Sequence, residues 1–206
     1  ACERVAQLGC INGLLPVYAL DHKGKKIAFY MSFVGATGAG TCIEEVNCLV
    51  GTTKFVMFGS SGSLRPDIAA GKLVVPAEAY RDEGMSYHYA PPSEYIRIRN
   101  ADRVADFLEG RGIPHVKGRV WTTDGVYRET AGKAAARRSE GCLAVEMECA
   151  GVQAVCDYRG WEYYDFLFAG DLLEEEGWDA RILGNDEEID HQMRYFLLAL
   201  EFAATL

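Results

Sequence analysis

The chain has 206 residues, 49% of them apolar, 25% charged and 11% aromatic, which is globular composition and excludes disordered, collagenous and disulfide-scaffold classes. Acids exceed bases 30 to 21, for a net charge of −9, so nucleic acid is not an expected partner: neutralising phosphates needs clustered cations. No apolar run reaches the roughly 18 residues of a membrane span, and the opening ACERVAQLGC lacks the apolar stretch of a signal peptide. The expectation is a cytoplasmic protein with no membrane partner. Seven cysteines, at 2, 10, 42, 48, 142, 149 and 156, have no CxxC spacing; they suit reduced core thiols, and no metal is expected.

No linker, low-complexity tract or repeat divides the sequence, so one domain over residues 1–206 is expected. Lys25–Val34 is β-branched and aromatic and reads as a strand leading into the small-residue loop 35–40. Thr41–Val50 reads as a helix, with Ile43, Val46 and Val50 on one face. Lys54–Gly59 is a continuously apolar strand of the kind buried on both faces, followed by a second small-residue loop, Gly59–Ser63. A strand over 72–80 precedes a polar, tyrosine-rich stretch reaching about residue 96, and Asn100 caps a helix over 101–112 with Val104, Phe107 and Leu108 inward. Further along, His115–Thr122 reads as a strand, Glu129–Ser139 as a helix and Cys142–Val145 as a strand. Glu146–Tyr158 reads as a helix, Tyr163–Ala169 as a strand and His191–Leu206 as a closing amphipathic helix. Strands alternating with helices predict an α/β fold, three-layered around a mixed central sheet, with the ligand crevice beyond the strands' carboxyl ends.

Three places carry groups suited to chemistry. Gly59–Ser63 offers amides and hydroxyls that can cradle an anion, although small-residue strand ends are common; it is neither a Walker loop nor a dinucleotide fingerprint. Glu146 and Glu148 flank Met147 at a strand–helix junction, where a carboxylate can accept two hydrogen bonds from a vicinal diol or simply favour a helix start. Asp171 closes an apolar strand, where burial can raise its pKa into proton-donor range, or it caps a following helix. The histidines, at 22, 88, 115 and 191, lie far apart and give little support to a Ser–His–Asp arrangement; only His88 sits in a stretch resembling a pocket wall.

Six blocks occur in order: FVGATGAGTCIEEV, FVMFGSSGSLRPDIAAGKLVVP, RDEGMSYHY, VWTTDGVYRET, CLAVEMECAG and FLFAGDLLEEEGW. Together they resemble the nucleoside phosphorylase family of trimeric or hexameric purine and uridine phosphorylases, over roughly Lys25 to Trp178. The resemblance implies a mixed, partly barrel-like sheet and a homo-oligomer (dimer, trimer or hexamer) with a pocket built across a subunit interface. It implies phosphorolysis of a ribonucleoside, purine ahead of uridine, to a free base and ribose 1-phosphate. Nucleoside and phosphate would be the ligands, phosphate the co-substrate, and no cofactor is needed. By the same resemblance Glu148 holds the ribose hydroxyls with Met147 against the sugar, and Arg4, Gly59 and Ser60 bind phosphate. Val126 and Tyr127 wall the base, Arg128 reaches base or phosphate, and Asp171 protonates a purine.

The sequence also departs from the pattern. Met57 stands where these phosphorylases carry an arginine, and Leu14–Tyr18 lacks the arginine a neighbouring subunit would supply. The glycine and aspartate of the GDPxRV loop would precede the first residue, so part of the N-terminal region is expected outside this sequence, or the phosphate site is reduced. Losing bidentate arginines removes orientation as well as charge. A nucleosidase, with Glu3 a doubtful water activator, and a non-catalytic nucleoside binder are therefore the alternatives.

Overall fold

The computed structural model describes residues 2–10, 13–175 and 177–206. The segment ahead of Lys25, to which the sequence patterning assigns no element, forms β1 (Glu3–Cys10) and β2 (Gly13–His22). These join β3 (Lys25–Phe29) in an antiparallel meander. Lys23 and Gly24 turn β2 into β3 with φ of 49° and 79°, the left-handed pair that suits the twist of a two-residue hairpin. Leu8 and Val17 are fully buried and insert into the main core, which docks this small sheet on the rest of the chain.

A seven-stranded sheet carries the remaining fold. Its strands are β4 (Lys54–Ser63), β5 (Leu73–Asp82), β6 (Tyr95–Arg97), β7 (His115–Thr123), β8 (Cys142–Glu146), β9 (Glu162–Leu173) and β10 (Trp178–Asp179). They lie in the order β10-β9-β4-β8-β7-β5-β6, and a pairing of Val74 with Leu167 joins β5 back to β9. Five strands thereby close into a barrel-like ring, as the resemblance implied. The sheet is mixed: β4 with β9, β5 with β7 and β7 with β8 are parallel, whereas β4 meets β8 antiparallel.

Period-two alternation sorts the core. Tyr163 and Leu167 of β9 and Val74 of β5 face one apolar cluster; Tyr164, Phe166, Phe168, Leu73 and Val75 face the other. The first cluster is covered by α1 (Ala36–Val50) and α5 (Cys149–Arg159), the second by α3 (Ala101–Glu109) and α6 (Asp186–Ala203), giving three layers. The four-residue α2 (Pro66–Ala69) and α4 (Ala131–Ser139) complete the helices described. Among the described residues no helix is long and apolar enough to cross a membrane.

Several expected boundaries move. The 35–40 loop is instead the start of α1: Gly35 takes φ 93° as the N-cap, and a Cβ on Gly38 would come within 2.7 Å of Phe33 Cβ. Val50, expected inward, ends α1 36% exposed, and β3 stops at Phe29 instead of Val34. Asn100 does sit at the N-cap of α3, but its side chain donates to the Tyr163 carbonyl (3.0 Å) instead of capping the helix. The expected helices at 129, 146 and 191 begin at Ala131, Cys149 and Asp186. Thr130 caps α4, accepting from the Lys133 N–H. Of the described cysteines, 42, 142, 149 and 156 are buried thiols, whereas Cys2 and Cys48 are exposed.

Candidate active site

Strand register gathers the site. β4 pairs with β9 in parallel, and its last residues meet the end of β8 antiparallel, Gly62 with Val145 and Ser63 with Ala144. The last residues of β4 and β9 therefore lie beside those of β8, which runs with β7 in the opposite direction: Gly62 pairs with Asp171 on one side and with Val145, just ahead of Glu146, on the other.

The Gly59–Ser63 stretch is strand rather than loop, since β4 stays in the ladder with β9 through Ser63. The ladder to β8 begins only at Gly62, so the other edge of Gly59 and Ser60 lies outside that pairing. Ser60 sits beside Gly170: a Cβ there would lie 3.0 Å from the Ser60 Cβ.

The Glu146–Glu148 step is the best-ordered part. Glu146 ends β8 fully buried. It accepts the Thr122 hydroxyl and the N–H groups of Glu148 (2.7 Å) and Cys149 (2.6 Å), while Thr122 Oγ1 accepts the Ala150 N–H (3.1 Å). This network pins the start of α5 to β7. Burial pushes the Glu146 carboxyl up to about 8, with the charge of Glu148 adding to it. Glu148, at the N-cap of α5, is half-buried and accepts the Gly35 N–H (2.5 Å) at the N-terminus of α1. Burial raises its pKa; the Gly35 and Met147 amides pull the other way. Met147 is also half-buried beside it.

Asp171 lies inside β9, paired with Gly62, and not at a helix cap: β9 continues to Leu173 and folds back as β10. It is 9% exposed, and Trp178 Nε1 donates to its Oδ2 (2.5 Å). Glycine at 62 is what admits it, because a Cβ there would meet Leu173 at 2.7 Å, Val145 at 2.8 Å and Asp171 Oδ1 at 3.3 Å. Glu129 faces the same region, its carboxyl pushed up to about 7 by burial and then by the charge of Asp171.

Other expected residues are not gathered here. Val126 and Tyr127 form a short 3-10 turn with Arg128, and they are 47% and 97% exposed, so they wall nothing within this chain. Arg4 is exposed on β1, in the separate sheet, paired with Tyr18. Met57 packs against the first core cluster and its sulfur accepts the Tyr163 hydroxyl (3.6 Å), so that position offers a thioether and no cation. His88 is exposed; the buried groups of its segment are Arg81, Glu83 and Ser86. Arg81 donates to Ser86 Oγ (2.7 Å), and the Ser86 N–H donates to Glu83 (2.9 Å). Sequence reasoning missed Gly35, Thr122, Glu129 and Trp178 as site residues. All four lie within the six blocks, but their partners are remote in sequence and only the fold pairs them.

A family profile, the phosphorylase superfamily, matches residues 6–199, and the chain belongs to that family. The six ordered blocks and the ring-closed mixed sheet agree with it. The DeoD-type purine nucleoside phosphorylase of Caldanaerobacter subterraneus subsp. tengcongensis is 25% identical over 173 residues, covering 80% of this chain and 73% of that protein. The DeoD-type purine nucleoside phosphorylase of Colwellia psychrerythraea is 28% identical over 163 residues, 76% of this chain and 68% of that protein. A guanosine phosphorylase of Halorubrum lacusprofundi is 27% identical over 192 residues, 91% of this chain and 73% of that protein.

Proposed function

We propose that the protein cleaves ribonucleosides with phosphate, purine nucleosides ahead of uridine, releasing the free base and ribose 1-phosphate. One observation carries this reading: Gly62 joins two carboxylates through the sheet register, pairing with the buried Asp171 on one side and, on the other, with Val145, three residues before the half-buried Glu148. Glu148 accepts the ribose 2′- and 3′-hydroxyls, and Met147 packs on the sugar. As the C1′–N bond breaks, positive charge develops on the ring, and the nearby carboxylate stabilises it. Asp171 gives its proton to the departing base, help worth about 10²–10⁴-fold. A phosphate oxygen, held by the Gly59 and Ser60 edge, forms the new bond to C1′. Val126, Tyr127 and Arg128 reach the base only when a second copy covers them, so the active form is a homo-oligomer. No cofactor enters the reaction.

Met57 favours a second reading, hydrolysis, because a thioether leaves the phosphate without the planar cation that orients it. The deciding experiment is base release from inosine, adenosine and uridine, each with and without phosphate. Phosphate-dependent release with ribose 1-phosphate is expected. Release independent of phosphate would establish the nucleosidase, and binding without release would establish a binder.

A further inference from the structure

The β9–β10 hairpin carries a contact that the proposed chemistry does not yet use. Trp178 pairs with Leu173 and Asp179 with Leu172, so Trp178, Leu173 and Asp171 share one face, with Trp178 diagonal to Asp171. Diagonal neighbours of this kind are within reach of an aromatic side chain. The indole is 62% exposed, yet its Nε1–H is directed at Asp171 Oδ2. The following segment is strapped down: the N–H groups of Ile182 and Leu183 both donate to the Gly170 carbonyl (3.1 Å each), and Arg181 donates to the Ala69 carbonyl (2.6 Å). The hairpin is thus tied on both sides of the residue that offers the donor.

We propose that Trp178 is the positioning residue for proton transfer at Asp171: its indole N–H fixes Oδ2 and stabilises the carboxylate that forms as the proton leaves for the base. This inference rests on the phosphorylase reading above. An N–H donor favours the ionised carboxyl, so it lowers the cost of giving up the proton. The other charged groups around the hairpin are Glu174, Glu175 and Asp179 on the hairpin itself, Arg181 just after it, Glu129 from the segment after β7, and Arg138 of α4. The Arg138 guanidinium is held by the carbonyls of Leu64 and Leu173. None of them replaces the indole as a donor to Oδ2 among the described contacts.

The test is Trp178→Phe, which keeps an aromatic ring and removes the donor, together with Asp171→Asn. With inosine and phosphate, Trp178→Phe should lower kcat about tenfold, the scale of a hydrogen bond to a charged group, and leave KM within about twofold. The alkaline limb of its pH profile should move to higher pH, because Asp171 without the N–H holds its proton longer. Indole emission gives a readout independent of turnover: because Trp121 also donates to a carboxylate, Asp82 (3.1 Å), the part of the pH-dependent emission lost in Trp178→Phe should be lost in Asp171→Asn as well. Unchanged kcat and pH profile in Trp178→Phe, or persistence of that part in Asp171→Asn, would overturn the inference. An unmodified protein that titrates but cleaves no nucleoside would defeat the phosphorylase reading and with it the catalytic purpose of the contact, leaving the contact itself established.

Discussion

At the scale of single residues, the carboxyls divide by what holds them. Glu148 receives main-chain N–H groups from two segments and remains half-buried, and on the proposed reading it takes the ribose hydroxyls. Glu148→Ala should therefore cut kcat/KM for ribonucleoside cleavage by at least about 100-fold, with an unfolding midpoint close to that of the parent. Steady-state kinetics beside a thermal melt separates the two quantities, and unchanged kcat/KM would sink the ribose assignment. Asp165 behaves differently. It is fully buried near Cys149 and Tyr163, its Oδ1 has no partner among the described residues, and burial pushes its pKa up to about 7. A carboxyl whose folded pKa is raised keeps its full contribution below the unfolded pKa, near 4, and loses it as pH rises through about 7. Asp165→Asn removes this loss, so its urea midpoint should fall less between pH 5 and pH 8 than that of the parent. Parallel urea titrations at the two pH values give the answer.

At the scale of elements, the site depends on how closely α1 and α5 approach. Gly151 of α5 lies against α1, and a Cβ there would come within 2.6 Å of the Ala36 Cβ. Ala36 follows Gly35, whose N–H holds Glu148, so this crossing sets the distance between the carboxylate and its anchor. Gly151→Ala should cost about 1–3 kcal/mol by overpacking and also weaken catalysis, because the strain falls on the Gly35–Glu148 contact. Chemical denaturation and kinetics on one preparation test both effects. A stability loss with unchanged kcat/KM would show that the contact tolerates the shift. The Thr122–Glu146 bridge performs the complementary task of joining α5 to β7.

At the scale of the whole molecule, several large apolar side chains are left uncovered. Tyr127 is 97% exposed, Val34 77% and Met31 73%, and the first belongs to the proposed base wall. On the proposed reading, a second copy covers this surface and completes the pocket. Light scattering should give a mass of at least two chains, and Tyr127→Glu should lower both that mass and the activity. A fully active monomer would remove the shared-pocket reading.

The sequence by itself determined the α/β class and the family, and it pointed to three carboxylates as candidates. Those features are local: alternating apolar strands, small residues at their ends, and acids immediately after them, as in Glu146, Glu148 and Asp171. The ends of elements needed the fold. Gly59–Ser63 reads as a turn by composition, yet β9 holds it in the ladder as far as Ser63, and ladder hydrogen bonds outweigh weak turn propensity. The N-terminal meander escaped patterning for the same reason, since its burial comes only from docking Leu8 and Val17 on a core built elsewhere. Tertiary structure alone decided the partners: Gly35 with Glu148 across 113 residues, and Trp178 on Asp171 through a hairpin. Such pairings arise from sheet register and helix crossing, which join residues remote along the chain and leave no periodic trace in it.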